Sequence, residues 1–488
     1  MSAPLWTHAE IETATGGRAT APFAAKGVAI DSRELAQGDL FVALADVRDG
    51  HDYVKAAFDA GAAGALATHR PAGAAEGAPL VIVPDVLKAL EALGAAARAR
   101  ANARIVAVTG SVGKTTAKDM LRLALGAQGR THAAERSFNN HWGVPLTLAR
   151  MPRDAEFAAI EIGMNHADEI RPLVKLTRPH AAMITTVASV HLENFRNEAG
   201  IAFAKAEILE GLEPEGAAIL PRDNAHYARL RRRAKKLGVE RILTFGEAPR
   251  VDARLLAHQV APQGTVCTGR LAGRRMHWKL AAPGRHMAMN SLAALLAVEA
   301  IGADVAQAAM ALGAFRAPAG RGEPWRIALG EDGEDGAILF LDESYNANPT
   351  SVGAAFEVLA ATRPEDGIGR VARGRRIAML GDMLELGPEA EAMHAGLAGH
   401  PALASLDAVH TCGPLMRALH EALPVNKRGR WFEDSAALAA QVRRLLDAGD
   451  AVMVKGSLGA RMAPVAQAIK TMGAAAPARP TAETDEDA

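Results

Sequence analysis

The sequence predicts an α/β protein of about three domains with a doubly wound parallel sheet at its centre. Three observations carry this. The chain has 488 residues, too many for one core when domains average about 150 residues. From residue 104 to 187, short β-branched runs alternate with helix-length segments, the pattern of parallel strands joined by crossover helices. One such run, Arg104–Thr109, leads directly into the glycine-bearing stretch Gly110–Thr116 and a helix-compatible segment.

Taken in order, Asp39–Leu44 reads as a strand, Tyr53–Ala60 as a helix and Leu80–Val83 as a strand, before the Ala-rich helix Val86–Arg100. Arg104–Thr109 opens the second unit as a buried parallel strand, and Phe157–Ile162 and Ala181–Val187 continue it. Ile201–Leu212 reads as helical, and Leu292–Phe315, interrupted by Glu299, Gly302 and Asp304, as paired buried helices too broken to span a membrane. After Ala317-Pro318-Ala319-Gly320 a third unit supplies the strands Ala337–Asp342, Ile377–Leu380, Ala408–Thr411 and Ala451–Val454. Three of these run into polar turns at Glu343–Asn346, Gly381–Met383 and Lys455–Ser457, and ligands of open α/β sheets gather at such carboxyl ends. The expected boundaries are 1–100, 101–315 and 316–472, with 473–488 an Ala/Pro-rich, acidic-ended disordered tail.

Composition narrows the function. Lys plus Arg and Asp plus Glu both number 55, a balance that argues against a nucleic-acid binder. The basic run Arg229–Lys236 reads as a solvated helix face. Two distant cysteines, Cys267 and Cys412, form neither a disulfide framework nor a zinc pattern, and the N-terminus shows no signal-peptide pattern. A soluble protein of a reducing cytoplasm fits, with no membrane insertion.

The phosphate chemistry lies in Thr109-Gly110-Ser111-Val112-Gly113-Lys114-Thr115-Thr116. Glycines let backbone N–H groups wrap phosphates at a helix N-terminus that carries about half a positive charge. Lys114 would reach the β- and γ-phosphates of ATP, and the Thr115 hydroxyl would coordinate Mg2+. Val108 stands where the long form of the motif has its first Gly, so a plain Gly-rich turn is the alternative. Glu161 and His191 end or follow neighbouring strands and could add metal ligands; taken singly, each reads more readily as a helix cap or a hydrogen-bonded surface group. Lys205, within a helical run, reads alone as a solvated lysine.

These segments occur in an order that resembles the Mur ligases. Besides the loop, the series includes Asn139-Asn140 with Gly143–Leu148, Ile160–Gly163, His191-Leu192-Glu193, Ala204–Ile208, Pro283–His286 with Asn290, Gly320-Arg321, Asp342–Pro349, Gly381–Gly387 and Lys455-Gly456-Ser457. Asp31-Ser32-Arg33, Gly38–Leu44 and Asp49–Asp52 also fit. The resemblance spans about residues 5–470. It implies an N-terminal domain for a UDP-sugar, a central ATPase domain and a C-terminal Rossmann-like domain. The variant at Asp342–Pro349 is similar to the member that joins D-alanyl-D-alanine to UDP-N-acetylmuramoyl-tripeptide through an acyl phosphate.

Carried over position by position, the resemblance implies that Ser32, Arg33 and His51 serve the UDP substrate. Gly110, Ser111, Val112, Gly113, Lys114, Thr115 and Thr116 hold the phosphates. Glu161 with Thr115 takes one Mg2+ and His191 a second, beside a carbamylated Lys205. His286 and Asn290 meet adenine, Arg321 the γ-phosphate, and Asp342 or Glu343 the ribose. Asn139, Asn140, Tyr345, Asn346 and Lys455 lie towards the peptides. Catalysis would rest on Lys114, Lys205, His191 and Arg321, in a monomer. Ser137 stands where the family usually has the first Asn of N-x-N-N, and Thr186, Met287 and Leu458 are further departures. The alternatives are a sister ligase acting on a shorter muramyl peptide, a folylpolyglutamate synthase, and a regulatory NTPase that makes no amide bond.

Overall fold

The computed structural model describes residues 3–190, 192–261 and 264–478. His191 and positions 479–488 lie outside the described residues. Three large sheets, one after another in sequence, organise the described residues, beside a two-stranded pair of Trp6–Thr7 and Ala24–Ala25.

The first sheet has five strands in the spatial order Arg18–Ala19, Leu80–Ile82, Gly64–Ala67, Asp39–Val42, Gly27–Ala29. Helix Val86–Arg100 starts at Asp85, whose carboxylate accepts the Lys88 N–H, an N-cap worth about 1 kcal/mol. Its Val86, Ala89, Leu90, Leu93 and Ala97 recur at helical spacing and are buried. At Gly94 it approaches helix Gly143–Ala149 so closely that a Cβ would lie 3.1 Å from the Pro145 carbonyl. This close crossing docks the first unit on the second, with the Trp6 indole N–H donating to the Ala149 carbonyl at 2.9 Å.

The second sheet runs Thr131–Ala133, Phe157–Glu161, Arg104–Thr109, Ala181–Ile184, Ala217–Pro221, Arg241–Gly246, Ala253–Ala261, Gly264–Leu271, Arg274–Leu280. The first seven are parallel and the last three form antiparallel pairs. The doubly wound parallel core is as expected; the antiparallel extension is an addition. Val266–Leu271 and Met276–Leu280 alternate more buried and more exposed positions, the pattern of a sheet with one wet face. Arg104–Thr109 lies between strands reached in opposite directions, so the loop after it opens at the topological switch point. Helix Arg285–Ala300, buried along most of its length, and the shorter Val305–Ala311 are the paired helices read from Leu292–Phe315, with the first starting earlier. No helix among the described residues is long and apolar enough to cross a membrane.

The third sheet runs Arg428–Phe432, Ala408–Cys412, Arg376–Gly381, Ala451–Lys455, Ala337–Glu343, Glu323–Ala328, Ala474–Pro477. Its edge corrects one expectation. Ala474–Pro477, read as the start of a disordered tail, pairs antiparallel with Trp325–Ala328. The pairing is made by backbone groups, which a side-chain pattern of small residues does not announce.

Candidate active site

At the switch point, Gly110 and Gly113 take φ of 154° and 86°, conformations that side chains oppose. A Cβ on Gly113 would also lie 2.7 Å from the Asn290 amide nitrogen, so the loop and helix Arg285–Ala300 interlock there. Thr185 Oγ1 donates to the Val112 carbonyl at 2.5 Å, and Ser111 bridges to the backbone of Ala188. These bonds hold the loop open over the N-terminus of helix Lys114–Gly126.

The loop faces a cavity of about 770 Å³ between the second and third sheets. Thr115 and Glu161 are buried side by side on its floor, Oγ1 to Oε1 at 3.1 Å. Asn139 donates to the same Oε1 at 2.7 Å, and Ser137 Oγ lies 2.9 Å from Thr115 Oγ1. Glu161 Oε2 is buried with no hydrogen-bond partner among the described residues. A carboxylate oxygen left unpaired in a buried site is costly, and an unpaired oxygen beside a loop hydroxyl matches the few protein ligands Mg2+ takes. The residues present therefore fit Mg2+ at Thr115 and Glu161. The second expected ion rests on His191, outside the described residues.

Lys114 donates to the Gly110 carbonyl at 2.7 Å. Burial pulls its ammonium below the ordinary lysine range; Glu161 opposes the shift and Arg321 reinforces it. Arg321, from the third unit, lines the same cavity with its guanidinium 4.0 Å from the Tyr345 ring centroid. Two cations from different domains thus face one space. His286 and Asn290 also line it, and burial lowers the His286 pKa, favouring the neutral ring.

Lys205 ends the α-helix Glu198–Lys205, and a 3-10 helix, Ala206–Gly211, continues the helical run read from sequence. It is buried, not solvated, and does not line the cavity. Burial and then Lys114 push its pKa well below the ordinary value.

Of the two acids expected at the ribose, Glu343 lines the cavity and Asp342 does not. Asp342 is buried, accepting from Lys470 at 2.8 Å and Ser344 at 2.6 Å, because alternate residues of the strand face opposite sides. Asn140 is also turned away: its side-chain oxygen accepts the Gly143 N–H at 2.9 Å before helix Gly143–Ala149. Tyr345, Asn346 and Lys455 do line the cavity.

The N-terminal candidates separate. His51 is a satisfied interior ring. Nε2 accepts the Thr68 N–H at 2.9 Å, Nδ1 faces Asp49 at 2.6 Å, and the ring stacks on His69. Neither nitrogen is left for a substrate. Arg33 is exposed and paired with Asp31, whose carboxyl it holds at about 2. The adjoining Glu34 pairs with Arg136 at 2.5 Å, so Ser32 and Arg33 sit beside the loop carrying Ser137 and Asn139, without lining the cavity. Arg285, Glu357 and His400 do line it yet were not singled out as site residues. Arg285 lies inside a quoted motif; Glu357 and His400 carry no local signal, since tertiary packing brings them there.

The switch-point loop, its buried acid and an arginine from a third domain define an ATP-dependent ligase of the Mur type. Residues 108–298 match the Mur ligase middle domain and 329–458 the Mur ligase glutamate ligase domain. The chain belongs to the Mur ligase family. It is 36% identical over 450 residues to the UDP-N-acetylmuramoyl-tripeptide–D-alanyl-D-alanine ligase of Escherichia coli K12, covering 91% of this chain and 94% of that one. Its likeness to the ligase of the same name from Bacillus subtilis 168 is 32% over 445 residues, 89% and 91% of the two chains. A crystal structure of MurF from Acinetobacter baumannii superposes with a TM-score of 0.80 at 27% identity, over 95% of this chain and 99% of that one. The Thermotoga maritima MurF structure in complex with ADP shares the fold, with a TM-score of 0.74 at 23% identity over 91% and 97%.

Proposed function

We propose that this chain joins D-alanyl-D-alanine to UDP-N-acetylmuramoyl-tripeptide at the expense of ATP, in the cytoplasm. The observation that supports it most is the convergence of Lys114 and Arg321, from two domains, on the cavity floored by Thr115 and Glu161. A peptide carboxylate does not react with an amine at neutral pH, so it must first be activated. The carboxylate oxygen attacks the γ-phosphorus, the β–γ bridge breaks, and ADP leaves an acyl phosphate. The amine of D-alanyl-D-alanine then attacks the acyl carbon; the C–O bond to phosphate breaks and the amine loses a proton. The cations Lys114 and Arg321 neutralise charge on the transferring group, the largest service a protein offers such a reaction. Mg2+ at Thr115 and Glu161 would supply further charge neutralisation at the phosphates.

Lys205 is suited to carbamylation, since a buried, depressed amine is neutral enough to attack CO2, losing a proton as the carbamate forms. Burial disfavours a charge of either sign there, but the neighbouring Lys114 cation, which helps depress the amine, would stabilise the carbamate anion. Isotope-labelled bicarbonate should give a carbamate NMR resonance that Lys205→Arg lacks.

Phosphate release measured with each substrate withheld in turn tests the function. Release should need ATP, the UDP-muramyl tripeptide and D-alanyl-D-alanine together for sustained turnover. Steady ATP hydrolysis with neither acceptor would mark a regulatory NTPase, and preference for a single amino acid would mark a sister ligase.

A further inference from the structure

Thr115 and Glu161 are met from above by a short segment whose two polar side chains each touch one of them. Asn139 donates to Glu161 Oε1 at 2.7 Å, and Ser137 Oγ lies 2.9 Å from Thr115 Oγ1. Position 137 carries a hydroxyl, and that choice of group bears on what Thr115 can do.

A hydroxyl has one proton and two acceptor lone pairs. An ionised carboxylate only accepts, so a Thr115 proton directed at Glu161 leaves the Thr115 lone pairs for other partners. A side-chain amide nitrogen at position 137 would always donate into one of them. While the Thr115 proton is on Glu161, Ser137 donates to Thr115. With a cation between Thr115 and Glu161, Ser137 can rotate its own proton away and accept the Thr115 proton instead, which an amide nitrogen cannot do. Ser137 is the neighbour that can release a Thr115 lone pair towards the cavity without moving a heavy atom. Among the described residues its hydroxyl hydrogen-bonds to Thr115, and it lines the cavity beside that group.

The unpartnered Glu161 Oε2 completes the geometry. Asn139 and Thr115 both converge on Oε1, so among the described residues the second oxygen is buried and has no partner. The two-point clamp therefore fixes one oxygen of the acid and the rotamer of the hydroxyl.

We infer that Ser137 is a positioning residue that orients the Thr115 hydroxyl for a divalent cation shared with Glu161. This rests on the reading that Thr115 and Glu161 hold Mg2+ together, and the experiment separates the two.

ADP binding is measured by titration calorimetry over a range of Mg2+ concentrations and with excess chelator. The full-length wild type is compared with Ser137→Ala, Ser137→Thr and Glu161→Gln. Ser137→Ala should raise the Mg2+ concentration for half-maximal enhancement about fivefold, the effect of one neutral hydrogen bond, with metal-free ADP affinity unchanged. Ser137→Thr, which keeps the hydroxyl, should return it to wild type. A wild-type Mg2+ response in Ser137→Ala, with a shifted response in Glu161→Gln, overturns the Ser137 role alone. No shift in either variant overturns the shared cation site and the inference with it. Loss of metal-free ADP binding in Ser137→Ala would show a structural role and also overturn it.

Discussion

Lys455 Nζ lies 2.9 Å from Glu343 Oε2 and 3.0 Å from the Asn346 carbonyl. Both side chains are almost wholly enclosed, at 4% and 12% exposure. Glu343 is thus occupied holding Lys455 at the cavity edge, whatever else it meets. Removing one partner of an enclosed pair strands the other charge, at about 3–5 kcal/mol, whereas removing both with apolar groups costs far less. Glu343→Ala should lower stability by about 3 kcal/mol, and Glu343→Leu combined with Lys455→Met should recover most of it. Urea unfolding of the singles and the double checks this; an additive double would refute the pairing.

The interlock at Gly113 gives a second test. A side chain there meets both a φ of 86° and the Asn290 amide. Gly113→Val should abolish ADP binding by calorimetry. Gly126→Ala, where nothing lies within 4 Å of the added Cβ, should bind ADP as wild type.

Which parts were legible from sequence follows from where their information sits. Arg104–Thr109 and Val86–Arg100 match their expected bounds because an apolar run and a capped helix are local signals. Gly110–Thr116 was readable because glycine, lysine and threonine at fixed spacing are themselves the chemistry. Asp342 against Glu343 was not, since which of two adjacent acids faces the cavity depends on the face each strand position takes. His51 misled for a related reason: a histidine in a polar motif looks available until Thr68 and Asp49, one of them seventeen residues away, are seen to consume its nitrogens. Ala474–Pro477 pairs through backbone alone.

Acid should weaken the third domain through His410. The ring is buried; its Nδ1 accepts the Arg430 N–H at 2.9 Å, and burial holds its pKa at about 4. The unfolded ring titrates near about 6.5. Between those values the unfolded chain binds the extra proton, so stability is intact above about 6.5 and falls as pH drops towards 4. At pH 5 the loss from this one group is about 2 kcal/mol. Urea midpoints at pH 7 and pH 5 should show it, and His410→Asn should reduce the difference; an equal difference in the variant would exclude His410 as the source.

Cys267 and Cys412 are both buried, with burial pushing each thiol up to about 12. A thiolate is the reactive form, so a disulfide reagent at pH 8 should label neither in the folded protein and both in denaturant. Prompt labelling of the native chain would show that the closed packing around one of them opens readily.

Arg321 reaches the cavity across the domain boundary on a backbone held by the Tyr345 N–H bond to the Gly320 carbonyl at 3.0 Å, with the Tyr345 ring 4.0 Å from its guanidinium. The ring is partly exposed, at 40%, so its attraction for the cation is worth only about 0.5–1 kcal/mol. The guanidinium itself neutralises transition-state charge, where losing one such group costs about 10²–10³ in rate. The two effects should therefore separate cleanly in kcat for ADP formation with all substrates saturating. Arg321→Ala should fall by about 10²–10³, Tyr345→Ala by only about two- to fivefold, and Tyr345→Phe, which keeps the aromatic face, should stay near wild type. A Tyr345→Ala loss as large as that of Arg321→Ala would mean that the tyrosine meets the reacting groups directly.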